Sequence, residues 1–169
     1  MISRLLLDNG AIKFGDFTLT SGQKSNYYVD IKEVSTQPRL LGELATELSK
    51  NVRSKLIAGV ELGAVPLLIA TALRLDIPYL IVRKEREHGT KDLVIGRLTA
   101  GDVDIIEDVI TTGGSVLKAA SLLRSRGASV SRVIAVVDRE QGGEKLLGEN
   151  GIELISLVKI SEVMKLKRF

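Results

Sequence analysis

Residues Val103-Asp104-Ile105-Ile106-Glu107-Asp108-Val109-Ile110-Thr111-Thr112-Gly113-Gly114-Ser115 run from an apolar strand through two adjacent acids into a loop of small and hydroxyl residues that opens a helix. Each part suits its own chemistry. Adjacent carboxylates at a strand end can accept hydrogen bonds from vicinal sugar hydroxyls, or hold Mg²⁺ directly or through water. A helix opened by Thr111 to Ser115 offers backbone N–H groups and the positive end of its dipole to a phosphate. Diol and phosphate together point to a ribose 5-phosphate. The plainer reading is a solvated acidic turn followed by an ordinary Ser/Thr cap. The order of the parts weighs against it.

A second cluster is Arg83-Lys84-Glu85-Arg86-Glu87-His88-Gly89-Thr90-Lys91, which lies between one strand and the short apparent hairpin strand Val94-Ile95. Charge pattern alone describes a solvated loop. Beside a phosphosugar site, its cations could close over a pyrophosphate leaving group and exclude water. His88, the sole histidine, is then a candidate donor or acid. Arg139 follows a strand and is either a surface arginine or a bidentate partner for an anionic or amide-edged base. The pair Tyr27-Tyr28 reads first as one core-facing and one surface-facing residue of a strand.

The elements that must position these groups follow from periodicity. Ile2 to Leu7, stopped by Asn9-Gly10, reads as a short helix; Phe14 to Thr20 and Tyr27 to Ile31 read as strands around a turn at Ser21-Gly22. Leu40, Leu41, Leu44, Ala45 and Leu48 recur at helical spacing after the starter Ser35-Thr36-Gln37-Pro38. Strands at Leu56–Val60, Tyr79–Val82, Val103–Ile106, Val130–Val137 and Ile152–Val158 then alternate with helices at Val65–Leu73 and Ser115–Arg126 and a short one before the last strand. The tail Lys165-Leu166-Lys167-Arg168-Phe169 reads as the end of a surface helix. Such alternation predicts an α/β fold with a mostly parallel twisted sheet flanked by helices. Ligands in such sheets bind beyond the carboxyl ends of the strands, where both acids and Arg139 fall.

Composition narrows the classes. A chain of 169 residues with 44 % hydrophobic residues is read as one domain, able to bury roughly 70 % of its unfolded surface. With no cysteine and one histidine, disulfides, a thiol nucleophile and a Cys/His zinc site are excluded, while carboxylate-held Mg²⁺ is not. The net charge is only +3 and aromatics are 4 %, so the pI near 9.2 reports local basic clusters rather than a nucleic-acid surface. No leader or membrane-length apolar run is read, and the expected location is cytoplasmic.

Ile105 to Ser115 resembles the phosphoribosyl-pyrophosphate signature of type I phosphoribosyltransferases, and lacks the Gly-Lys-[Ser/Thr] ending of a nucleotide P-loop. Arg83 to Gly89 is similar to the catalytic loop of the orotate branch of that family. Three further segments agree: Phe17 to Tyr28 resembles the N-terminal strand and base-side loop, Glu61 to Pro66 the pyrophosphate loop, and Val137 to Gly143 the orotate-contacting turn. The likeness runs from about residue 10 to 145 in the expected order. It implies one phosphoribosyltransferase domain over residues 1–169 with a small N-terminal hood mainly from about 1–35. It also implies transfer of phosphoribose from phosphoribosyl pyrophosphate to orotate, giving orotidine 5′-monophosphate and pyrophosphate in pyrimidine biosynthesis.

By the same resemblance, Lys84, Arg86, His88 and Asp108 are the catalytic set. Phosphoribosyl pyrophosphate is bound by Arg83, Lys84, Arg86, His88, Glu61, Leu62, Gly63 and the run Glu107, Asp108, Val109, Ile110, Thr111, Thr112, Gly113, Gly114 and Ser115. Orotate is gripped by Thr111, Arg139, Tyr27 and Tyr28. Mg²⁺ bridges through the substrate, with Glu107 or Asp108 reaching it through water. The peptide entering Leu62 is implied to be cis, and the enzyme a homodimer whose basic loops complete the partner's site, with no nucleic acid or membrane partner. Several positions depart from the family: Thr20 and Gly63 stand where many relatives carry Lys, Asn26 where they carry Pro, Asp104 interrupts an apolar strand, and the loop holding His88 is one residue shorter. Two alternatives stand beside this reading: a phosphoribosyltransferase for another base such as a purine, and a non-catalytic regulator that binds phosphoribosyl pyrophosphate. The first is separated by base turnover. The second is disfavoured by retention of Lys84 and His88.

Overall fold

The computed structural model describes residues 2–18, 24–84 and 92–166. The chain opens with α1 (Ile2–Asp8), closed by Gly10 at φ +72°, where a left-handed turn returns the Ala11 N–H to the Leu6 carbonyl at 2.9 Å. Strands β1 (Ile12–Thr18) and β2 (Lys24–Val29) pair antiparallel as a separate two-stranded sheet with an irregularity between Phe14 and Phe17. The expected second strand extends to Ile31, but β2 ends at Val29. Asp30 accepts the Glu33 N–H at 3.2 Å and caps a short helix, α2 (Ile31–Ser35), so the cap chemistry overrides the β-branched run. Helix α3 (Pro38–Ser49) follows with Pro38 at its first turn, as its sequence predicts.

The main sheet contains β3 (Ile57–Val60), β4 (Tyr79–Val82), β5 (Val94–Ile95), β6 (Gly101–Ile110), β7 (Ala128–Asp138) and β8 (Glu153–Lys159), in the order β5-β4-β3-β6-β7-β8. All neighbours are parallel except the edge pair β4/β5. Helices α4 (Val65–Leu75), α5 (Gly114–Ser125), α6 (Gly143–Glu149) and α7 (Ile160–Leu166) complete the chain. Strand order reverses between β3 and β6, and a crevice opens outside the carboxyl ends of strands at such a point. No described helix is long and apolar enough to cross a membrane.

Two apolar layers hold the sheet. Ile106, Ile134 and Val136 pack with Leu44, Leu48, Leu67 and Leu68 on one face. Ile105, Val133 and Ala135 pack with Val116, Ala120, Leu123 and Leu147 on the other. The alternation along β6 and β7 is the period-2 signature of strands buried on both sides, each such side chain contributing about 1.5–3 kcal/mol. Asp104, the polar break in β6, has a defined use. Its Oδ2 accepts the backbone N–H groups of Arg53 at 2.7 Å and Ser54 at 3.1 Å and faces the Arg132 guanidinium at 3.6 Å. The carboxylate therefore fastens the loop entering β3 to the amino-terminal half of the sheet. Burial without these partners would be costly.

Candidate active site

Strand β6 is longer than its apolar core: it extends through Glu107 and Asp108 to Ile110, so both acids sit within the last turns of a paired strand rather than in a free loop. This ladder fixes their backbone. Glu107 is only 5 % exposed, and its Oε1 accepts the Asp108 N–H at 3.0 Å. Burial, and then a hydrogen bond and charge shared with Asp108, hold the Glu107 carboxyl well above the ordinary glutamate range, with nearby Lys84 pulling the other way. Asp108 in turn accepts the Val109 N–H at 2.8 Å. The pair offers carboxyl oxygens to a diol.

Past Ile110 the loop turns through Gly113 at φ +80° into α5, which has no side-chain cap. Its leading N–H groups are thus the kind that an anion satisfies. The loop is braced from behind. A Cβ on Gly143, at the start of α6, would overlap Ile110 and stand 3.0 Å from the Thr111 carbonyl, so only glycine lets the two turns meet.

From β3 the chain enters the Glu61–Leu62 peptide, which is cis as the family resemblance implies, and then Gly63. A Cβ on Gly63 would overlap the Asp108 carboxylate, so the position that departs from lysine-bearing relatives is packed directly against the acid pair. The Glu61 carboxylate accepts the Lys84 N–H at 2.9 Å, and Arg83 N–H donates to the Leu93 carbonyl at 2.7 Å. Arg83, Lys84 and Ser115 line a cleft of about 660 Å³ together with Lys118. Lys118 escaped the sequence reading; its spacing of one helical turn from Ser115 was the available signal.

Arg139 lies at the end of β7, where its N–H donates to the Ile110 carbonyl at 2.9 Å and so ties it to the phosphate-loop strand. Its guanidinium is 4.9 Å from the centre of the Tyr27 ring, and Nε donates to the Tyr27 hydroxyl at 3.4 Å. Arg139 is 9 % exposed, yet Nη2 is buried without a hydrogen-bond partner among the described residues. A buried donor left open beside an aromatic ring is a place for a ligand acceptor. Tyr28 points the other way, against Phe17 with ring centres 5.7 Å apart, and is not brought to Arg139. Glu61, Leu62, Gly63, Lys84, Glu107, Asp108, the run 109–115, Arg139 and Tyr27 thus gather at adjoining strand ends, with Leu62 largely exposed. Thr20, Arg86 and His88 lie outside the described residues.

Residues 30–150 match the phosphoribosyl transferase domain family. The orotate phosphoribosyltransferase of Thermoplasma volcanium is 59 % identical over 166 residues, covering 98 % of this chain and 100 % of that protein. That of Thermoplasma acidophilum is 60 % identical over 159 residues, covering 94 % and 93 %. The chain belongs to the orotate phosphoribosyltransferase family. The crystal structure of orotate phosphoribosyltransferase from Aeropyrum pernix matches this fold with a TM-score of 0.88 at 34 % identity, covering 98 % of this chain and 97 % of that one. The mostly parallel six-stranded sheet and separate N-terminal hairpin are therefore the orotate phosphoribosyltransferase architecture.

Proposed function

We propose that this chain transfers the phosphoribosyl group of phosphoribosyl pyrophosphate to orotate, releasing pyrophosphate and orotidine 5′-monophosphate. The observation that carries the reading is the bond from Arg139 N–H to the Ile110 carbonyl. It sets a base-binding arginine with one open buried donor immediately beside the strand that bears the acid pair and phosphate loop. The ribose diol meets Glu107 and Asp108, the 5′-phosphate meets the N–H groups and hydroxyls of Thr111 to Ser115, and orotate lies toward Arg139, Tyr27 and Thr111. Bond breaking at the anomeric carbon develops oxocarbenium character, which nearby carboxylates stabilise, while Lys84, Arg86 and His88 neutralise the departing pyrophosphate. The nucleophile is the ring nitrogen of bound orotate, so no covalent intermediate with the protein is required.

Among the described residues no cluster of three or more acidic or histidine side chains stands ready to hold a cation. The two adjacent carboxylates suit a Mg²⁺ that keeps most of its shell from water and substrate oxygens. Glu107 or Asp108 would reach it through water, and the ion would supply charge neutralisation of the pyrophosphate. We further propose that residues 1–169 act as one domain with a hood from about 1–35, in a cytoplasmic homodimer with shared sites. The test of function is loss of orotate absorbance with phosphoribosyl pyrophosphate and Mg²⁺, each omitted in turn, repeated with adenine, hypoxanthine and uracil. Turnover of orotate alone is expected; turnover of a purine instead would reassign the base, and saturable binding without turnover would favour the regulator.

A further inference from the structure

We infer that Glu61 is a positioning residue that ties the root of the basic segment to the β3–α4 turn, so that Lys84 stands beside the acid pair; this rests on the transferase reading above. Strands β3 and β4 leave the sheet in register, Val60 opposite Val82, and Glu61 N–H still donates to the Val82 carbonyl at 2.9 Å. There the ladder ends. The next N–H along β4's exit, that of Lys84, has its only hydrogen bond among the described residues to Glu61 Oε1, at 2.9 Å. Two residues beyond Glu61, Gly63 is packed on the Asp108 carboxylate. Lys84 is close enough to Glu107 to favour its ionised form. Contacts therefore run from Lys84 to Glu61 and, two residues on, from Gly63 to Asp108 and Glu107, beside the place assigned to the ribose and pyrophosphate.

The chemistry of that link is specific. A backbone N–H needs an oxygen acceptor, not a negative charge, and glutamine supplies the same oxygen at the same reach. A carboxylate acting on the substrate or on Mg²⁺ through its charge would not tolerate that exchange. Since Lys84 is exposed, water replaces the lost bond when Glu61 is shortened, so the loss falls on where Lys84 is held rather than on folding.

The experiment compares the wild type with Glu61→Gln, Glu61→Ala, Lys84→Ala and the Glu61→Ala/Lys84→Ala double variant. The readouts are calorimetric affinity for phosphoribosyl pyrophosphate with Mg²⁺, orotate KM for the variants that turn over, and melting temperature. Glu61→Ala is expected to weaken phosphoribosyl pyrophosphate about tenfold, the scale of one charge-assisted hydrogen bond from a Lys84 no longer held in place, with orotate KM within about twofold of wild type. Glu61→Gln should recover most of the affinity that Glu61→Ala loses, and Glu61→Ala should cost less than about twofold more once Lys84 is already alanine. Glutamine as defective as alanine, full additivity with Lys84→Ala, wild-type affinity in Glu61→Ala, or parallel loss of both substrates with a lowered melting temperature would each overturn the assignment. A wild type that binds phosphoribosyl pyrophosphate but never consumes orotate refutes the transferase reading instead, while the binding cycle still decides the role of Glu61.

Discussion

Replacing Arg139 with methionine separates what the residue does for orotate from what it does for the fold. The guanidinium makes a cation–π contact with Tyr27 at 4.9 Å and a long hydrogen bond at 3.4 Å, while its Nη2 is buried with no hydrogen-bond partner among the described residues. The cation–π contact contributes about 0.5–2 kcal/mol, and the unpaired donor costs about 1–3 kcal/mol. These offset each other, so Arg139→Met should leave stability within about 1 kcal/mol, or about 2–4 °C in melting temperature for a chain of this size. Binding is a different matter. When an orotate oxygen fills the open donor, the charge-assisted bond is worth about 1.5–3 kcal/mol, or a rise of about ten- to a hundredfold in orotate KM. In the proposed arrangement phosphoribosyl pyrophosphate meets the groups of β6 and the loop after it, so its KM should move by less than about twofold. Steady-state kinetics with each substrate varied at saturation of the other, alongside thermal melting, reads all three quantities. Equal losses for both substrates, or a melting temperature lowered by more than about 5 °C, would refute the argument by making Arg139 a structural strut.

Gly63→Ala must displace the Asp108 carboxylate and should lower kcat/KM for phosphoribosyl pyrophosphate by at least about tenfold, with the far-ultraviolet spectrum unchanged; activity near wild type would show that Asp108 can yield. Because the folded protein raises the Glu107 pKa, its contribution to stability is full below the ordinary value of 4.5 and is lost as pH rises through the raised pKa. Glu107→Gln should therefore gain stability relative to wild type as pH increases across that window in urea titrations, and a constant difference would contradict the burial argument. Asp104→Ala removes the acceptor for two backbone donors and leaves Arg132 facing no buried charge, so a loss of about 3 kcal/mol is expected in chemical denaturation with kcat intact. Mixed Lys84→Ala and Asp108→Asn chains, each inactive alone, should recover part of the activity if the basic segment completes the partner's site; no recovery after verified subunit exchange would exclude sharing.

The sequence by itself determined where along the chain most of the elements fall and which residues are the candidates for the chemistry. Apolar runs such as Val133 to Val137 and the helical spacing of Leu40 to Leu48 are local properties, because burial on both faces demands them wherever the strand is placed. The acid pair and small-residue loop were legible for the same reason: strand, carboxylates and helix start are contiguous. Asp30, whose capping bond ends β2 early, is a local cue that prevails over the β-branched Val29 and Ile31 beside it. Only the tertiary structure decided what meets across the crevice. The strand order puts β3 between β6 and β4; the first adjacency brings Gly63 onto Asp108, and the second brings Glu61 onto the Lys84 N–H. The same holds for Arg139, whose guanidinium lies against Tyr27, more than a hundred residues away. Contacts between distant segments depend on the order in which strands pair, and periodicity records only which face of an element is apolar.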